Sequence, residues 1–205
     1  TSLGFRKVFV VSLGITFEPL SGIPEKEKEP TIIYLGRLKK AKRPDHVVKA
    51  FKQVKQKTPS AKLWIIGDGY FKKVLERIAP DGVEFFGYVS ENRKIELLSK
   101  AWVMINPSVR EGWGINVIEA NACGTPVIAS DVPGLRDSVK DGDTGFLVRY
   151  GDIKGFARAL FKILRDEKLR TELSKNALDW SKRFDWDRAS QETLRIIEQE
   201  RRCQR

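Results

Sequence analysis

The stretch that decides the fold is IIYLGRLKKAKRPDHVVKAFKQVKQKTPSAKLWIIGDG, residues 32–69. It begins and ends with short apolar runs, residues 32–35 and 63–66, whose nearly continuous hydrophobicity is typical of parallel strands covered on both faces. Between these runs, residues 45–57 repeat valine and phenylalanine at helical spacing, which predicts an amphipathic helix. A strand, a helix and a second strand in this order predict a right-handed crossover between parallel neighbours.

The same alternation continues on both sides of this unit. Further strands are predicted at residues 8–12, 83–86, 102–105, 126–129 and 145–148, with helices at residues 71–79 and after Ser90, which can cap the helix that follows it. After Val148 the pattern is helical only, at residues 152–165, 169–182 and 187–204. We therefore predict an α/β protein: a doubly wound parallel sheet over residues 8–148 with a helical C-terminal extension over residues 152–205.

The chain of 205 residues carries 38 Lys and Arg side chains against 27 Asp and Glu, a formal net charge of +11. This positive balance suits phosphorylated ligands, an anionic membrane surface or nucleic acid. The cations are spread along the chain without the aromatic-interleaved pattern of RNA-reading strands, so no specific nucleic-acid partner is predicted. Most of them are expected to be solvated, with peripheral association at an anionic membrane as the main functional alternative.

The two cysteines, Cys123 and Cys203, lack the spacing of a disulfide framework or a zinc site. Their isolation favours a reducing, cytoplasmic location, at the inner face of a membrane if the basic surface binds lipid. No apolar run approaches the roughly 20 residues that span a bilayer. The first residues contain neither an initiator Met nor a cleavage signal, so we interpret the chain as part of a longer protein.

Ligands of open parallel sheets bind where strands end and loops and helix N-termini meet. One such loop follows Tyr34-Leu35-Gly36-Arg37-Leu38, where a strand ends in glycine and continues into a cationic segment. Arg37 and Lys42, five residues apart, are placed to converge on a diphosphate. The alternative is an ordinary basic surface turn.

A second candidate loop is Arg110-Glu111-Gly112-Trp113-Gly114-Ile115-Asn116, which leads into a predicted helix. Two glycines before a helix leave its amide groups and the positive end of its dipole open to an anion. Glu111 is predicted in the loop, and Glu119 about one turn inside the helix, where a carboxylate could accept hydrogen bonds from sugar hydroxyls. A capping acid and a surface acid are the alternative interpretation.

Seven segments in this order resemble the C-terminal domain of glycosyltransferase family four, the large retaining group with the GT-B fold. They are YLGRL (34–38) with Lys42, IIGDG (65–69), VEFFG (83–87), NPS (106–108), the pair Glu111 and Glu119 with seven residues between them, ACGTPV (122–127) and GDTG (142–145). The resemblance is close over about residues 8–148 and loose in the helical tail. It implies the Rossmann-like, donor-binding half of a two-domain enzyme.

The resemblance implies a role for each matching position. Arg37 and Lys42 resemble the cations that hold the donor diphosphate and stabilise it as it leaves, and Glu111 resembles the acid facing the donor sugar; these are the candidate catalytic residues. Glu119 resembles the acid that binds the ribose hydroxyls. The other implied donor-binding positions are Gly36, Gly67, the base-cradling Gly87, Tyr88 and Val89, and Gly112, Trp113, Gly114, Ile115 and Asn116, whose backbone faces sugar and phosphate.

The implied function of residues 1–205 is to bind a nucleotide sugar for a retaining hexosyltransferase, for example a mannosyltransferase, that uses a UDP- or GDP-linked donor. The acceptor would be a glycan or a lipid-linked molecule. No metal or cofactor is implied, and the sequence has no Asp-x-Asp metal pair. Because the N-terminal acceptor domain of the family is absent from these residues, the chain is expected to bind donor but to transfer sugar poorly or not at all.

Three positions depart from the family pattern and leave the donor open. Arg43 stands where glycine is common, Trp113 where phenylalanine is common, and Asp137 where glutamate is usual. His46, the only histidine, is expected on the surface.

Three other functions are compatible with parts of this sequence. A GT-B nucleotide-sugar epimerase would alter the sugar without attaching it to an acceptor. A non-catalytic nucleotide-binding module would have no need of Glu111. A basic nucleic-acid binder would bind DNA or RNA tightly and with a strong salt dependence.

Overall fold

The computed structural model describes residues 7–203. Within that range six strands form one sheet in the order β3-β2-β1-β4-β5-β6, and every neighbouring pair is parallel. The strands are β1 Thr31–Leu35, β2 Lys62–Ile66, β3 Val83–Gly87, β4 Val103–Asn106, β5 Val127–Ser130 and β6 Gly145–Val148. The predicted doubly wound α/β fold is confirmed.

Helices cover both faces of the sheet. They are α1 Pro44–Lys57, α2 Lys72–Ile78, α3 Glu91–Lys100, α4 Ile115–Ala122, α5 Leu135–Ser138, α6 Ile153–Arg165, α7 Glu167–Ser181 and α8 Trp186–Cys203. Side chains of α1, α2 and α6 pack on one face, whereas those of α3, α4 and α5 pack on the other. The predicted helical extension is present as α6 to α8. The short helix α5 and a 3-10 turn at Lys40–Lys42 were not predicted.

Strand β1 shows why the apolar runs are continuous. Ile32 and Tyr34 lie in the core beneath α1 and α6, whereas Ile33 lies in the opposite core beneath α3 and α4. Because successive side chains of a strand point to opposite faces, a strand covered on both faces must be apolar at every position. The adjacent strand β2 follows the same rule, with Leu63 and Trp64 in opposite cores.

The prediction of a strand at residues 8–12 is wrong. This segment has no strand pairing, and Val10 is 86% exposed. It runs beside α8 instead: Lys7 pairs with Glu200 at 2.8 Å, and Val11 lines a shallow cleft together with Leu194. An apolar run predicts a strand only where a sheet edge is within reach, and here its neighbour is a helix. The sheet therefore begins at Thr31, not at residue 8.

The helix α4, which carries the candidate residue Glu119, is anchored at its C-terminal end by Lys26. The Lys26 Nζ donates to the carbonyl oxygen of Gly124 at 2.8 Å and to Thr125 Oγ1 at 2.9 Å. Thr125 in turn donates to the carbonyl oxygen of Leu98 at the end of α3. Burial lowers the pKa of Lys26 to about 7. A neutral amine can still donate both hydrogen bonds, so the contact persists when the charge is lost.

Raising the pH above about 7 is expected to stabilise the fold through Lys26. Its folded-state pKa lies below the unfolded value of 10.5, so the unfolded chain binds more protons in this window and unfolding becomes less favourable as pH rises. The contribution is at most about 1.4 kcal/mol per pH unit. Urea denaturation of the wild type and of Lys26→Met, at several pH values between about 7 and 10.5, isolates the contribution of Lys26 to the free energy of unfolding. If the free energies of unfolding of the two proteins change with pH in parallel, the pKa of Lys26 is not lowered by folding.

Candidate functional site

The strand order reverses between β1 and β4, and a cleft of about 330 Å³ opens there. Ligands of doubly wound folds bind at this switch point, outside the carboxyl ends of the strands. The cleft is lined by residues from the end of β1, the cationic loop, the end of β4 and the start of α4: Tyr34, Leu35, Gly36, Arg37, Lys42, Asn106, Ser108, Glu111, Ile115 and Asn116. Six of the predicted site residues thus meet in one place.

The loop after β1 is fixed by backbone contacts with the end of the neighbouring strand β2. The Gly36 amide donates to the carbonyl oxygen of Ile66 at 3.0 Å. A Cβ at Gly67, whose φ is +125°, would lie 2.1 Å from the carbonyl oxygen of Gly36. Gly67 is therefore needed so that the end of β2 can abut this loop, and it does not line the cleft. Tyr34 supports the loop from below by donating its hydroxyl to the carbonyl oxygen of Arg37 at 3.2 Å.

Arg43 ends the cationic loop in a left-handed conformation, with φ of +51°, and is the one non-glycine residue with positive φ among those described. This conformation explains why glycine is common at the matching family position. The Arg43 guanidinium pairs with Asp45 at 3.0 Å and contacts the His46 ring. His46 is buried, and burial lowers its pKa. The expectation of a surface histidine is wrong because Arg43 lies against the His46 ring and Tyr150 lies beside it, with ring centroids 6.0 Å apart.

Lys42 and Glu111 form an ion pair across the cleft. The Lys42 Nζ lies 2.5 and 2.6 Å from the two carboxylate oxygens of Glu111, and Ser108 Oγ donates to the same carboxylate at 2.8 Å. Both charged side chains are mostly buried. Arg37, in contrast, is exposed and makes no ion pair or side-chain hydrogen bond within residues 7–203. Of the two cations predicted to bind a diphosphate, Lys42 is thus paired with Glu111, and Arg37 has no partner among the described residues.

The start of α4 is tied to the strands beside it through Asn116. Its Nδ2 donates to the carbonyl oxygen of Leu35 at 2.7 Å, and its Oδ1 accepts from Asn106 at 3.3 Å. The helix begins after Gly114, which has a φ of +85° and provides no side-chain cap. The first amide groups of α4 therefore have no side-chain acceptor, which suits an anion at this end of the helix.

Glu119 lies inside α4, as predicted, but its carboxylate meets α3 and does not line the cleft of about 330 Å³. Lys94 Nζ donates to Glu119 Oε1 at 2.7 Å and also pairs with Glu91 at 2.7 Å. Burial raises the pKa of Glu119, and the hydrogen bond from Lys94 offsets this only in part. Burial would lower the pKa of Lys94, yet its two carboxylate partners outweigh this and raise it.

Two other predicted parts of the site lie at its margins. The loop after β3 is joined to the β2 end by a hydrogen bond from the Gly67 amide to the carbonyl oxygen of Gly87, and Tyr88 is 93% exposed. The ring of Trp113 packs against Phe184, with ring centroids 4.8 Å apart, in a separate apolar cluster. The ring of Trp113 therefore lies outside the cleft, in this separate cluster.

Sequence reasoning missed the roles of four residues: Tyr34, Lys94, Asn106 and Ser108. The segment NPS at residues 106–108 is part of the family resemblance, but its sequence alone indicates no function for it. Its Asn106 and Ser108 lie in the hydrogen-bonded chain that connects Asn116 to Glu111. Nothing in local spacing indicates Lys94, which is 25 residues from Glu119 in the chain.

Gly134 supports the Glu111 loop from behind. Its φ is +84°, and an added Cβ would lie 2.4 Å from the carbonyl oxygen of Glu111 and 2.9 Å from the carbonyl carbon of Gly112. These are backbone atoms that cannot move independently of the site. Gly142 offers a matched comparison because its φ is +78° and nothing lies within 4 Å of its added Cβ.

We expect Gly134→Ala to destabilise the fold more than Gly142→Ala and to weaken ligand binding in the cleft. A left-handed alanine alone costs about 1–2 kcal/mol, which applies to both variants. The clash adds to this only at Gly134, for a total of about 2–4 kcal/mol. Melting temperatures and nucleotide affinities of the two variants measure the difference. Equal effects would show that Gly134 has no special role in placing Glu111.

Two kinds of feature are absent from residues 7–203. No group of three or more His, Cys, Asp or Glu side chains in this part of the chain is placed to hold a metal ion. None of its helices is long and apolar enough to cross a membrane.

The sequence of this chain resembles those of known proteins. The sequence profile of the family described as "Glycosyl transferases group 1" matches residues 20–180. N-acetyl-alpha-D-glucosaminyl L-malate synthase of Bacillus anthracis is 34% identical over 161 residues, which are 76% of this chain and 41% of that protein. Phosphatidyl-myo-inositol mannosyltransferase of Mycolicibacterium smegmatis is 31% identical over 183 residues, 87% of this chain and 47% of that protein. The chain thus spans less than half the length of either relative.

The fold also matches solved structures. Anabaena HepE, in a crystal structure with UDP and glucose, has a TM-score of 0.74 at 22% identity, covering 83% of this chain and 48% of that one. At this identity the likeness shows the fold alone.

Proposed function

Because the chain belongs to the glycosyl transferases group 1 family, we propose that it is the donor-binding domain of a retaining glycosyltransferase. The transferred group would be a hexose from a UDP- or GDP-linked donor. The observation that carries the proposal is the cleft at the strand switch point. Arg37, Lys42 and Glu111 line it, beside the uncapped start of α4. Cations, amide groups and a carboxylate at these places match the diphosphate and the sugar of such a donor.

The chemistry follows from where charge develops. When the bond between sugar and diphosphate breaks, negative charge builds on the leaving diphosphate and positive charge on the sugar ring. The cations Arg37 and Lys42 and the positive end of α4 stabilise the negative charge on the diphosphate, and the carboxylate of Glu111 orients the sugar. Lys42 is held by Glu111 before any ligand arrives, at 2.5 Å, so the arriving diphosphate has to share this ammonium group. No metal takes part in this scheme.

Transfer itself requires an acceptor site, which we place in a part of the protein outside this chain. The acceptor class we favour is a glycan or a lipid-linked molecule, in keeping with one relative that is named phosphatidyl-myo-inositol mannosyltransferase. By itself the chain would bind donor and transfer poorly. Buried, unpaired Cys123 fits the reducing, cytoplasmic location that goes with nucleotide sugars.

A panel of UDP- and GDP-sugars and of the free nucleoside diphosphates tests the proposal by thermal shift. A ligand that binds only the folded chain raises the melting temperature, by the equivalent of about 2.7 kcal/mol at a hundredfold excess over Kd. We expect a shift with at least one donor, unchanged by a chelator. A flat response across the panel at millimolar ligand would remove the donor-binding function. A strict need for Mg²⁺ or Mn²⁺ would refute the metal-free clamp.

We also propose that the chain associates with an anionic membrane through the outer sides of α1 and α6, here called the basic face. Each helix carries four cations: Lys49, Lys52, Lys55 and Lys57 on α1, and Lys154, Arg158, Lys162 and Arg165 on α6. The acids beside them are Asp45 and Asp152, which pair with Lys49 and Arg158. Clusters of this size are attracted to anionic lipid, with about 1 kcal/mol per cation near the surface.

The aromatic rings of the basic face favour lipid over nucleic acid. Lys57 and Arg165 both lie over the ring of Phe161, at 5.4 and 4.9 Å from its centroid, and Lys162 lies 4.5 Å over Phe146. These covered rings are not free to stack on bases.

Vesicles of phosphatidylcholine, with and without phosphatidylglycerol, test the membrane proposal by co-sedimentation. We expect binding only to the anionic vesicles, weakening with salt, and lost when Lys52, Lys154 and Lys162 are replaced by glutamate. Reversing Lys168, Lys175 and Arg195, which lie outside the basic face, is the control. Equal losses in both triple variants, or tighter binding to an RNA or DNA duplex than to the vesicles, would overturn the proposal.

A further inference from the structure

Lys94 lies between two parts of the proposed donor site without belonging to either. It stands in the first turn of α3, directly after the loop Gly87–Ser90 that is proposed to cradle the base. Its ammonium group reaches across to α4, where it meets the acid proposed to bind the ribose, Glu119. No other described side chain makes an ion pair with Glu119.

The contact with Lys94 makes the two carboxylate oxygens of Glu119 inequivalent, because only one of them accepts a hydrogen bond. Oε1 accepts from Lys94 Nζ at 2.7 Å, whereas Oε2 accepts no hydrogen bond from residues 7–203. Lys94 and Glu119 are mostly buried, with 14% and 13% of their side chains exposed. A carboxylate in such a place is expensive to leave unpaired, so its orientation depends on the one cation that reaches it.

Lys94 is itself fixed from a second side. Glu91, one turn earlier on α3, pairs with the same ammonium group at 2.7 Å, and Ser90 caps the helix by accepting from the Arg93 amide at 3.3 Å. The lysine is therefore not a mobile surface cation that happens to meet Glu119. Burial raises the pKa of Glu119, so a lost ammonium partner would favour the protonated carboxyl, which is a poorer acceptor.

Resting on the donor-binding function proposed above, we propose that Lys94 is a positioning residue for the ribose of the donor. By holding Oε1 of Glu119, it presents Oε2 to the ribose hydroxyls and keeps the carboxylate ionised to accept from them. Lys94 thus helps the site to distinguish a ribonucleotide from its deoxy analogue. The alternative is a purely structural ion pair that joins α3 to α4.

Calorimetric titration with UDP and 2′-deoxy-UDP, and with GDP and 2′-deoxy-GDP, separates these roles. The wild type is expected to prefer the ribonucleotide by about tenfold or more, the range for a hydrogen bond to a charged group. Lys94→Met should reduce this preference to about threefold or less, and it should weaken the deoxynucleotide, which keeps only the 3′-hydroxyl, by less than the ribonucleotide. Lys94→Arg, which retains the charge and donors, should restore most of the preference.

A double-mutant cycle shows whether Lys94 acts through Glu119. In a Glu119→Gln background, Lys94→Met should have no further effect on the preference. Lys100→Met, on the same helix and paired only with Glu96, is the control for loss of an α3 ion pair, and melting temperatures report on folding. If Lys94→Met weakens the binding of both nucleotides equally, or leaves the preference unchanged, the proposed role of Lys94 is overturned but the donor-binding function is not. A wild type that binds neither nucleotide would instead refute the donor-binding function.

Discussion

Replacing Lys42 by alanine is expected to weaken the binding of a nucleoside diphosphate by about 1.5–3 kcal/mol, or about 10- to 150-fold in Kd. Two effects act in the same direction. The ammonium group that would hold the diphosphate is lost, and the Glu111 carboxylate it had paired with at 2.5 Å is left to repel the phosphates. Isothermal titration of the variant and the wild type measures the loss.

Lys40→Ala is the control for the Lys42 prediction. It removes the same charge from the same loop, but Lys40 is exposed and does not line the cleft. Arg37→Ala should behave like Lys42→Ala, because Arg37 lines the cleft and has no competing partner among the described residues. If Lys40→Ala weakens binding as much as the two cleft variants, the effect is general electrostatic attraction and the phosphate site lies elsewhere.

Replacing Glu111 by glutamine is expected to act in opposite directions on two ligands. The free nucleoside diphosphate should bind at least as tightly as to the wild type, because Lys42 is released from its pair with a carboxylate. The matched sugar donor should lose its contact from sugar hydroxyls to a charged acceptor, so its affinity relative to the free nucleotide should fall by about tenfold or more. Glutamine keeps the size of the side chain and can still accept from Ser108.

Titration of Glu111→Gln with both ligands tests this prediction, with Glu119→Gln as the comparison. Since Glu119 is assigned to the ribose, which both ligands share, its variant should weaken both to the same extent. A Glu111→Gln variant that loses the free nucleotide and the sugar donor equally would show that Glu111 does not face the transferred sugar.

Much of the candidate site could be predicted because its signals are local. The loop after β1 was located from a buried strand that ends in glycine before several cations. The loop placement of Glu111 and the helical placement of Glu119 followed from the two glycines at residues 112 and 114, and the structure agrees with both. Glycine at a strand end or before a helix indicates a tight turn or a close approach of the backbone. Such a signal can be recognised from a few neighbouring residues.

Side-chain partners could not be predicted in the same way. Lys42 and Glu111 are 69 residues apart, and Lys94 and Glu119 are 25 apart, so no short pattern records either pair. Even when the strands are predicted correctly, the formation of these ion pairs depends on the rotation and position of each helix on the sheet. That is set by the packing of cores on both faces.

The amino-acid sequence by itself determined the α/β class, the parallel sheet and the loops that form the candidate site, because hydrophobic period and glycine position act over a few residues. Only the tertiary structure decided that residues 8–12 lie beside α8 rather than in the sheet, that His46 is buried, and that each candidate glutamate has a lysine partner. These outcomes depend on which elements become neighbours in space. Distance along the chain carries no information about a contact that long-range packing creates.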